Sequence, residues 1–231
     1  MRGRKRKLAV MMAFACGGGS DAMAARGSHG AARRSSRPTH FVAVRIDDGE
    51  IQRRVRAIQG RLVARDRSLG RCLVSPTRLH VTLGLLRLGS ADDVERARAI
   101  VPAAAARAAR TIRCGLPGLD AFGSSVLFAR LQDDGALAAL ASHVGDEIAK
   151  AGFADVQPSF RAHATIAKTS KATRRIRIDL DAFADLRDSP LGTVDVTHLE
   201  LLAMRGEGAG GYYPVVERAP LGSAGINAIG Q

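Results

Sequence analysis

Two short stretches carry residues that could do chemistry together. They are Leu79-His80-Val81-Thr82-Leu83 and, 83 residues further on, Ala162-His163-Ala164-Thr165-Ile166. In a β-strand, residues i and i+2 point to one face, so each stretch would present an imidazole and a hydroxyl side by side. Two such strands meeting across a cleft bring two imidazoles and two hydroxyls into a small volume. That set suits acid–base chemistry on a phosphodiester. One His takes a proton from the nucleophile while the other gives one to the leaving oxygen. The Thr hydroxyls donate to the non-bridging oxygens. A single His-x-Thr in a strand is usually a half-buried His beside an ordinary strand Thr. Two copies at half-domain spacing, both in strand-like context, favour the paired reading.

The elements that must position these residues follow from hydrophobic periodicity. His40 to Ile46 is an apolar, β-branched run and reads as a first strand. Asp47-Asp48-Gly49 offers a helix cap, and Ile51, Val55, Ile58 and Leu62 form one face of the helix that follows. Its opposite face is rich in Arg and reads as a solvated face. The first His strand spans roughly Leu79 to Leu88. Ser90 and Asp93 then form a capping box for a helix over about Ala91 to Arg110, which Pro102 kinks or splits. Thr111 to Leu119 and Ser124 to Leu131 read as two strands. Asp133-Asp134-Gly135 opens a helix with Leu137, Leu140, Val144 and Ile148 on one face. The second His strand runs from Ala162 to Lys168. Residues 171–187 are mixed, with a strand indicated at Ile176 to Leu180, and the chain closes on strand-like runs at Val196 to Met204 and Tyr212 to Arg218. The pattern indicates an α+β domain of two lobes, each a small sheet backed by helices, facing one another across a cleft lined by the two His-x-Thr strands.

The net charge of +13 is unevenly spread. Residues 1–38 hold nine Lys or Arg and one Asp, so the body is only mildly basic, which suits a phosphate-bearing substrate without demanding one. Residues 1–38 do not read as part of the fold. Arg2 to Lys7 is a basic cluster, Leu8 to Cys16 is apolar, and glycines follow. A disordered basic tail, a signal peptide ending near Ala13-Phe14-Ala15 and an organelle transit segment are all compatible with this composition. The first implies a cytoplasmic or nuclear protein, and the second an exported or lipid-anchored one. The folded domain is expected over 39–218, with a flexible C-terminus over 219–231. The three cysteines, Cys16, Cys72 and Cys114, lack metal-ligand spacing and suggest no disulfide framework. No apolar run reaches membrane-spanning length.

His80-Val81-Thr82 and His163-Ala164-Thr165 resemble the paired motifs of the two-histidine (2H) phosphoesterase superfamily. Within it the chain is similar to the branch of A-kinase anchoring protein nuclear-localisation-signal-domain phosphoesterases. Thr39-His40-Phe41-Val42-Ala43-Val44, Ser159 to Lys171 and Gly211-Tyr212-Tyr213 carry that narrower resemblance. Gly70 to Pro76 with Leu79 to Leu88 is similar to phosphoesterase domains of the leukocyte receptor cluster member 9 type. The resemblance covers about residues 39–218. It implies a bilobal, pseudo-twofold α+β fold with two small antiparallel sheets facing a central cleft and helices outside. It also implies no metal and no cofactor, with 2′,5′-linked oligonucleotides or cyclic phosphates of nucleotides and RNA ends as substrates. His80 and His163 take the acid–base roles, and Thr82 and Thr165 bind phosphate. Ala162 and Ala164 depart from the pattern, where Pro and a larger aliphatic residue are usual. Kinase anchoring is not carried over, because residues 219–231 contain no amphipathic helix. A monomer is expected.

Lys168, further along the second strand and read as sharing the Thr165 face, is a further candidate for touching phosphate. Tyr212 and Tyr213 are the only tyrosines. One of them could stack on a base, while alternation would turn the other to the core. His40 and His198 lie in strand-like runs without a Thr two residues on and read as core or rim histidines. His143 reads as a structural or exposed helix residue, and His29 lies in the tail. No Gly-rich phosphate loop follows a strand in the required context. The main alternative is a binding module that holds an AMP-like nucleotide or RNA end without turning it over.

Overall fold

The computed structural model describes residues 37–154, 159–169, 176–179 and 183–222, and among them nine strands and five α-helices form. The readings placed on residues 1–36 and 223–231 lie outside the described residues. Strand β1 (His40–Arg45) buries four consecutive residues, Phe41 to Val44, because it is internal to the main sheet. Helix α1 (Gly49–Arg65) starts where the Asp48 carboxylate accepts from the Ile51 N–H at 2.8 Å. It buries Ile51, Val55, Ile58 and Leu62 as the periodicity requires. Its Arg face is partly paired, Arg65 and Arg61 both meeting Asp185. The buried Gln59 amide donates to the carbonyls of Val74, at 2.7 Å, and Ile166, at 3.2 Å. It thereby ties the helix to a loop and to a strand of the cleft.

Strand β2 (His80–Leu86) carries the first motif. The helix expected over 91–110 is two, α2 (Ala91–Arg98) and α3 (Ile100–Ala106), with Ser90 capping the first by accepting from the Asp93 N–H. Pro102 lies in the first turn of α3, where a missing N–H costs no helical hydrogen bond. The two strands expected between 111 and 131 are three, β3 (Ile112–Leu116), β4 (Leu119–Phe122) and β5 (Val126–Arg130). Pro117-Gly118 breaks the first run, with Gly118 at φ 155°. The chain leaves one sheet there and enters another. Helix α4 (Ala136–Lys150) buries Leu137, Leu140, Val144 and Ile148, and strand β6 (His163–Lys168) carries the second motif.

The strand expected at Ile176 to Leu180 does not form over its described part. Residues 176–179 have no regular structure, although the Ile178 N–H donates to the Ser124 carbonyl at 2.9 Å and its side chain is buried. Leu180 lies outside the described residues. Helix α5 (Ala184–Arg187) and strand β7 (Gly192–Val196) were not legible as elements, and β8 (His198–Ala203) follows after a break at Thr197. Strand β9 (Val215–Pro220) begins three residues later than expected and ends two residues later. Beyond it, the Leu221 N–H still donates to the Thr197 carbonyl.

Among the described residues the strands form a seven-stranded sheet of order β4-β5-β6-β2-β1-β8-β9 and a two-stranded sheet β3-β7, antiparallel throughout. The large sheet is two half-sheets, β4-β5-β6 and β2-β1-β8-β9. They join where β2 and β6 meet, at the pair Val81–Ala164. Ala164 is fully buried, and its small side chain sits at that seam. The main core lies on the helix side, with Val42, Val44 and Ile46 packed among residues of α1, α3 and α4. Phe41 and Ala43 alternate to the other face and form a smaller cluster with Leu202 and Tyr212. Cys72 and Cys114 are both buried, and burial, helped by nearby Asp133, pushes the Cys114 thiol up to about 12. Among the described residues, no helix is long and apolar enough to cross a membrane.

Candidate active site

The antiparallel pair Val81–Ala164 sets His80 opposite Thr165 and Thr82 opposite His163. All four side chains line a cleft of about 550 Å³ together with Lys168, Tyr213, Phe41, Leu85, Met204 and Val74. Arg37 and Pro38 complete its rim.

The two halves of the site repeat each other residue by residue. Arg45 of β1 lies opposite His80, and Arg130 of β5 lies opposite His163. Each strand register slips directly after the Thr. On β2 the pairing passes from Ala43–Thr82 to Val42–Gly84, so Leu83 is an extra residue. On β6 it passes from Phe128–Thr165 to Leu127–Ala167, so Ile166 is extra. Lys168 is three residues past Thr165, an odd spacing that would turn it to the opposite face of a regular strand. The bulge at Ile166 restores it to the cleft, and the bulge at Leu83 does the same for Leu85.

The histidines are oriented alike. His80 Nδ1 lies 2.7 Å from the Arg78 carbonyl oxygen, and His163 Nδ1 lies 2.7 Å from the Arg161 carbonyl oxygen. A carbonyl only accepts, so each Nδ1 carries the hydrogen and each Nε2 is left free for chemistry. Each ring also meets two aromatic rings. Phe41 and Tyr213 stand 5.0 Å and 5.4 Å from His80, while Phe122 and Phe128 stand 5.0 Å and 5.5 Å from His163. The side chains of the same two arginines lie over those aromatics, Arg78 on Tyr213 and Arg161 on Phe122 and Phe128. Arg78 Nε further donates to the Gly211 carbonyl at 2.8 Å, fixing the turn that carries Tyr213. The repeated unit is therefore Arg-x-His-x-Thr, visible as Arg78-Leu79-His80-Val81-Thr82 and Arg161-Ala162-His163-Ala164-Thr165. The sequence reading stopped at His-x-Thr and missed the arginines. It also missed Phe41, Leu85 and Met204 as cleft wall, since only the bulged register and the return of β8 bring them there.

Burial among these rings pushes the His80 imidazole down to about 4, against the raising effect of the Arg78 carbonyl, and the nearby His163 adds a smaller push in the same direction. His163 is also lowered, first by burial, with the Arg161 carbonyl opposing and the charges of Arg161 and Lys168 adding to it. Both shifts favour the neutral ring, and an anion beside either ring would favour its protonated form. A stability prediction follows. An unfolded imidazole takes its proton near 6.5, so between that pH and about 4 the unfolded chain binds more protons than the folded one. The stabilisation is complete above 6.5 and is lost as pH falls through this window. The melting temperature should drop between pH 7 and pH 4, and less steeply in His80→Asn. Parallel pH dependences of the two proteins would contradict this assignment.

The remaining candidates sort cleanly. Tyr213 lines the cleft. Tyr212 does not: of the two tyrosines it is the one turned to the core, and it is withdrawn as a ligand contact. Its side chain is 1% exposed, packed edge-on against Tyr213 and covered by the Arg45 guanidinium at 4.3 Å, so it has no surface to offer. His40 Nδ1 bonds the Thr39 hydroxyl, and His198 Nδ1 bonds the Thr197 hydroxyl at 2.8 Å; neither lines the cleft. His143 sits on α4. Among the described residues, no group of three or more His, Cys, Asp or Glu side chains is placed to hold a metal ion.

The family profile described as an AKAP7 2′5′ RNA ligase-like domain matches residues 38–221. The fold is similar to that of Escherichia coli LigT in complex with 3′-AMP. The TM-score is 0.60 at 19% identity, covering 80% of this chain and 98% of that one. It is also similar to the protein TT0787 of Thermus thermophilus, with a TM-score of 0.59 at 21% identity over 80% of this chain and 98% of that one. A structure described as a phosphoesterase matches with a TM-score of 0.54 at 20% identity, over 80% and 98% of the two chains. No curated protein matches the chain.

Proposed function

The chain belongs to the AKAP7 2′5′ RNA ligase-like domain family, a branch of the two-histidine phosphoesterases, and from that premise we propose that it cleaves 2′,5′-linked oligonucleotides or cyclic phosphates of nucleotides and RNA ends without a metal. The observation that carries this reading is the juxtaposition of the two His-x-Thr strands at Val81–Ala164, with both Nδ1 atoms held by main-chain carbonyls. The free Nε2 of one His removes the proton of the attacking hydroxyl. The Nε2 of the other, protonated once the phosphate is bound, gives its proton to the leaving oxygen. Thr82 and Thr165 donate to the non-bridging oxygens, where negative charge is greatest in the transition state. Tyr213, Phe41, Leu85 and Met204 offer an apolar wall for a base. The 3′-AMP in the LigT complex is consistent with a nucleotide in a cleft of this fold.

The test is turnover on a panel of 2′,5′-oligoadenylate, 3′,5′-oligoadenylate and a 2′,3′-cyclic phosphate, with and without EDTA. Cleavage of the first or the third, unchanged by EDTA, is the expected result. Loss of activity in EDTA with recovery on adding a divalent ion would overturn the metal-free mechanism. Silence on every substrate from folded, nucleotide-binding protein would favour the binding module.

A further inference from the structure

Among the residues of β2 and β6 that line the cleft, the pseudo-twofold is broken at one pair of equivalent positions. Leu85 and Lys168 each lie three residues past the motif Thr, each just beyond its bulge, and each lines the cleft. One is apolar and the other is a cation. The asymmetry extends through the walls. The His80 half and its flanks supply Phe41, Leu85, Met204 and Tyr213, whereas the described lining from the His163 half is His163, Thr165 and Lys168, with Val74, bonded to the Ile166 carbonyl, as its one apolar flank. Lys168 is exposed and has no ion pair among the described residues, yet it lies close enough to His163 for its charge to act on that ring. Arg37, the other cation of the lining, already has a contact within the chain.

A scissile phosphodiester carries one negative charge, and the two imidazoles and two hydroxyls already face it. Lys168 lies beyond that group. Three residues of bulged strand displace its Cα from that of Thr165 by roughly 7–10 Å. We propose that Lys168 forms a second phosphate subsite, so that this cleft takes a nucleotide end bearing a further phosphate beyond the scissile one, with its base on the Tyr213 wall. This rests on the reading of the cleft as a phosphodiester site, and it selects oligonucleotide ends over lone cyclic mononucleotides. A terminal phosphate and an internucleotide phosphate share this chemistry.

The test separates the subsite from the catalytic reading by measuring binding as well as turnover. Adenosine 2′-monophosphate, adenosine 5′-monophosphate and adenosine 2′,5′-bisphosphate are titrated calorimetrically into the full chain and into Lys168→Gln, Lys168→Arg and Arg37→Gln variants. The bisphosphate should bind the wild type about tenfold more tightly than either monophosphate, the order expected of one partly exposed charge-assisted contact. Lys168→Gln should lose that increment and leave the monophosphates unchanged, and Lys168→Arg should keep it. Turnover of dinucleotides with and without a 5′-phosphate, and of an unphosphorylated trinucleotide, then distinguishes a terminal phosphate from an internucleotide one. Equal weakening of all three ligands by Lys168→Gln would place Lys168 on the scissile phosphate and overturn the proposal. So would loss of the increment in Arg37→Gln with its retention in Lys168→Gln, or a wild type with no increment. A lost increment in a protein that turns over nothing would uphold the subsite while refuting the catalytic reading.

Discussion

Replacing either His80 or His163 by alanine should lower kcat by about two to four decades if the two rings act as proposed, because positioned acid–base catalysis is typically worth about 10²–10⁴ in rate. That corresponds to about 3–5.5 kcal/mol of barrier. Nucleotide affinity should change far less, since the Thr82 and Thr165 proposed to hold the phosphate remain in place. The double substitution is much less than multiplicatively worse, because the two rings act in one proton-transfer step. The wild-type pH–rate profile should be bell-shaped, as the proposed mechanism needs one ring neutral while the other is protonated. His40→Ala and His143→Ala are the controls. His40 is tied to the Thr39 hydroxyl and His143 lies on α4, both outside the cleft lining. Steady-state kinetics on whichever substrate is turned over decides the matter. A fully active His163→Ala, or a control as impaired as the two site variants, would remove these histidines from the mechanism.

The largest expected loss of stability is at Gly118. This residue joins β3 of the small sheet to β4 of the large one, at φ 155°, in backbone that only glycine adopts readily. A Cβ there would lie 2.0 Å from the Arg187 carbonyl oxygen and 2.8 Å from an Arg130 guanidinium nitrogen. The guanidinium can swing away, but the carbonyl is backbone. The Gly118 carbonyl itself accepts from the Arg130 N–H at 2.8 Å, so the chain cannot shift without loosening the start of β4. Gly118→Ala should therefore cost about 2–4 kcal/mol, combining forced backbone and steric conflict. For a domain of this size that is a fall of roughly 5–15 °C in melting temperature. Gly123→Ala is the reference. It also has positive φ, 53°, but no atom lies within 4 Å of the added methyl, so only the conformational cost remains. If thermal denaturation shows the two variants equally stable, the packing of Arg187 against Gly118 does not constrain the fold.

What could be read from the sequence was whatever depends on local periodicity. The buried faces of α1 and α4 were set by Ile51, Val55, Ile58 and Leu62 and by Leu137, Leu140, Val144 and Ile148. The two strands bearing the motifs were equally plain, and the structure brings all four motif side chains to one cleft. What could not be read depends on partners distant in the chain. Strand β7 is short and alternates exposed with buried residues only because it pairs with β3, far earlier in the chain, in the register Ile112–Val196, and nothing in Gly192 to Val196 announces that partner. The division of one expected strand into β3 and β4 has the same origin, as does the burial of Tyr212, which only the packing of Phe41 and Leu202 imposes. Lys168 does share the cleft with Thr165 as read, but through the bulge at Ile166 and not through alternation, and a bulge is a property of two strands in register and not of either alone.

The carbonyls that hold the two imidazoles belong to the main chain of Arg78 and Arg161. Whatever side chain stands at either position, the carbonyl remains, so the tautomer of each histidine is indifferent to point substitution. A scan of side chains would report Arg78 through its grip on Gly211 and Tyr213, and Arg161 through its aromatic contacts, and would pass over the hydrogen bond that fixes the tautomer. Mutational robustness of this kind leaves the surrounding residues free to diverge, as Leu79 and Ala162 already have between the two copies. What could undo it is a frame shift in the strand itself, an insertion or deletion between Arg and His, which would rotate the ring away while leaving every side chain of the motif present.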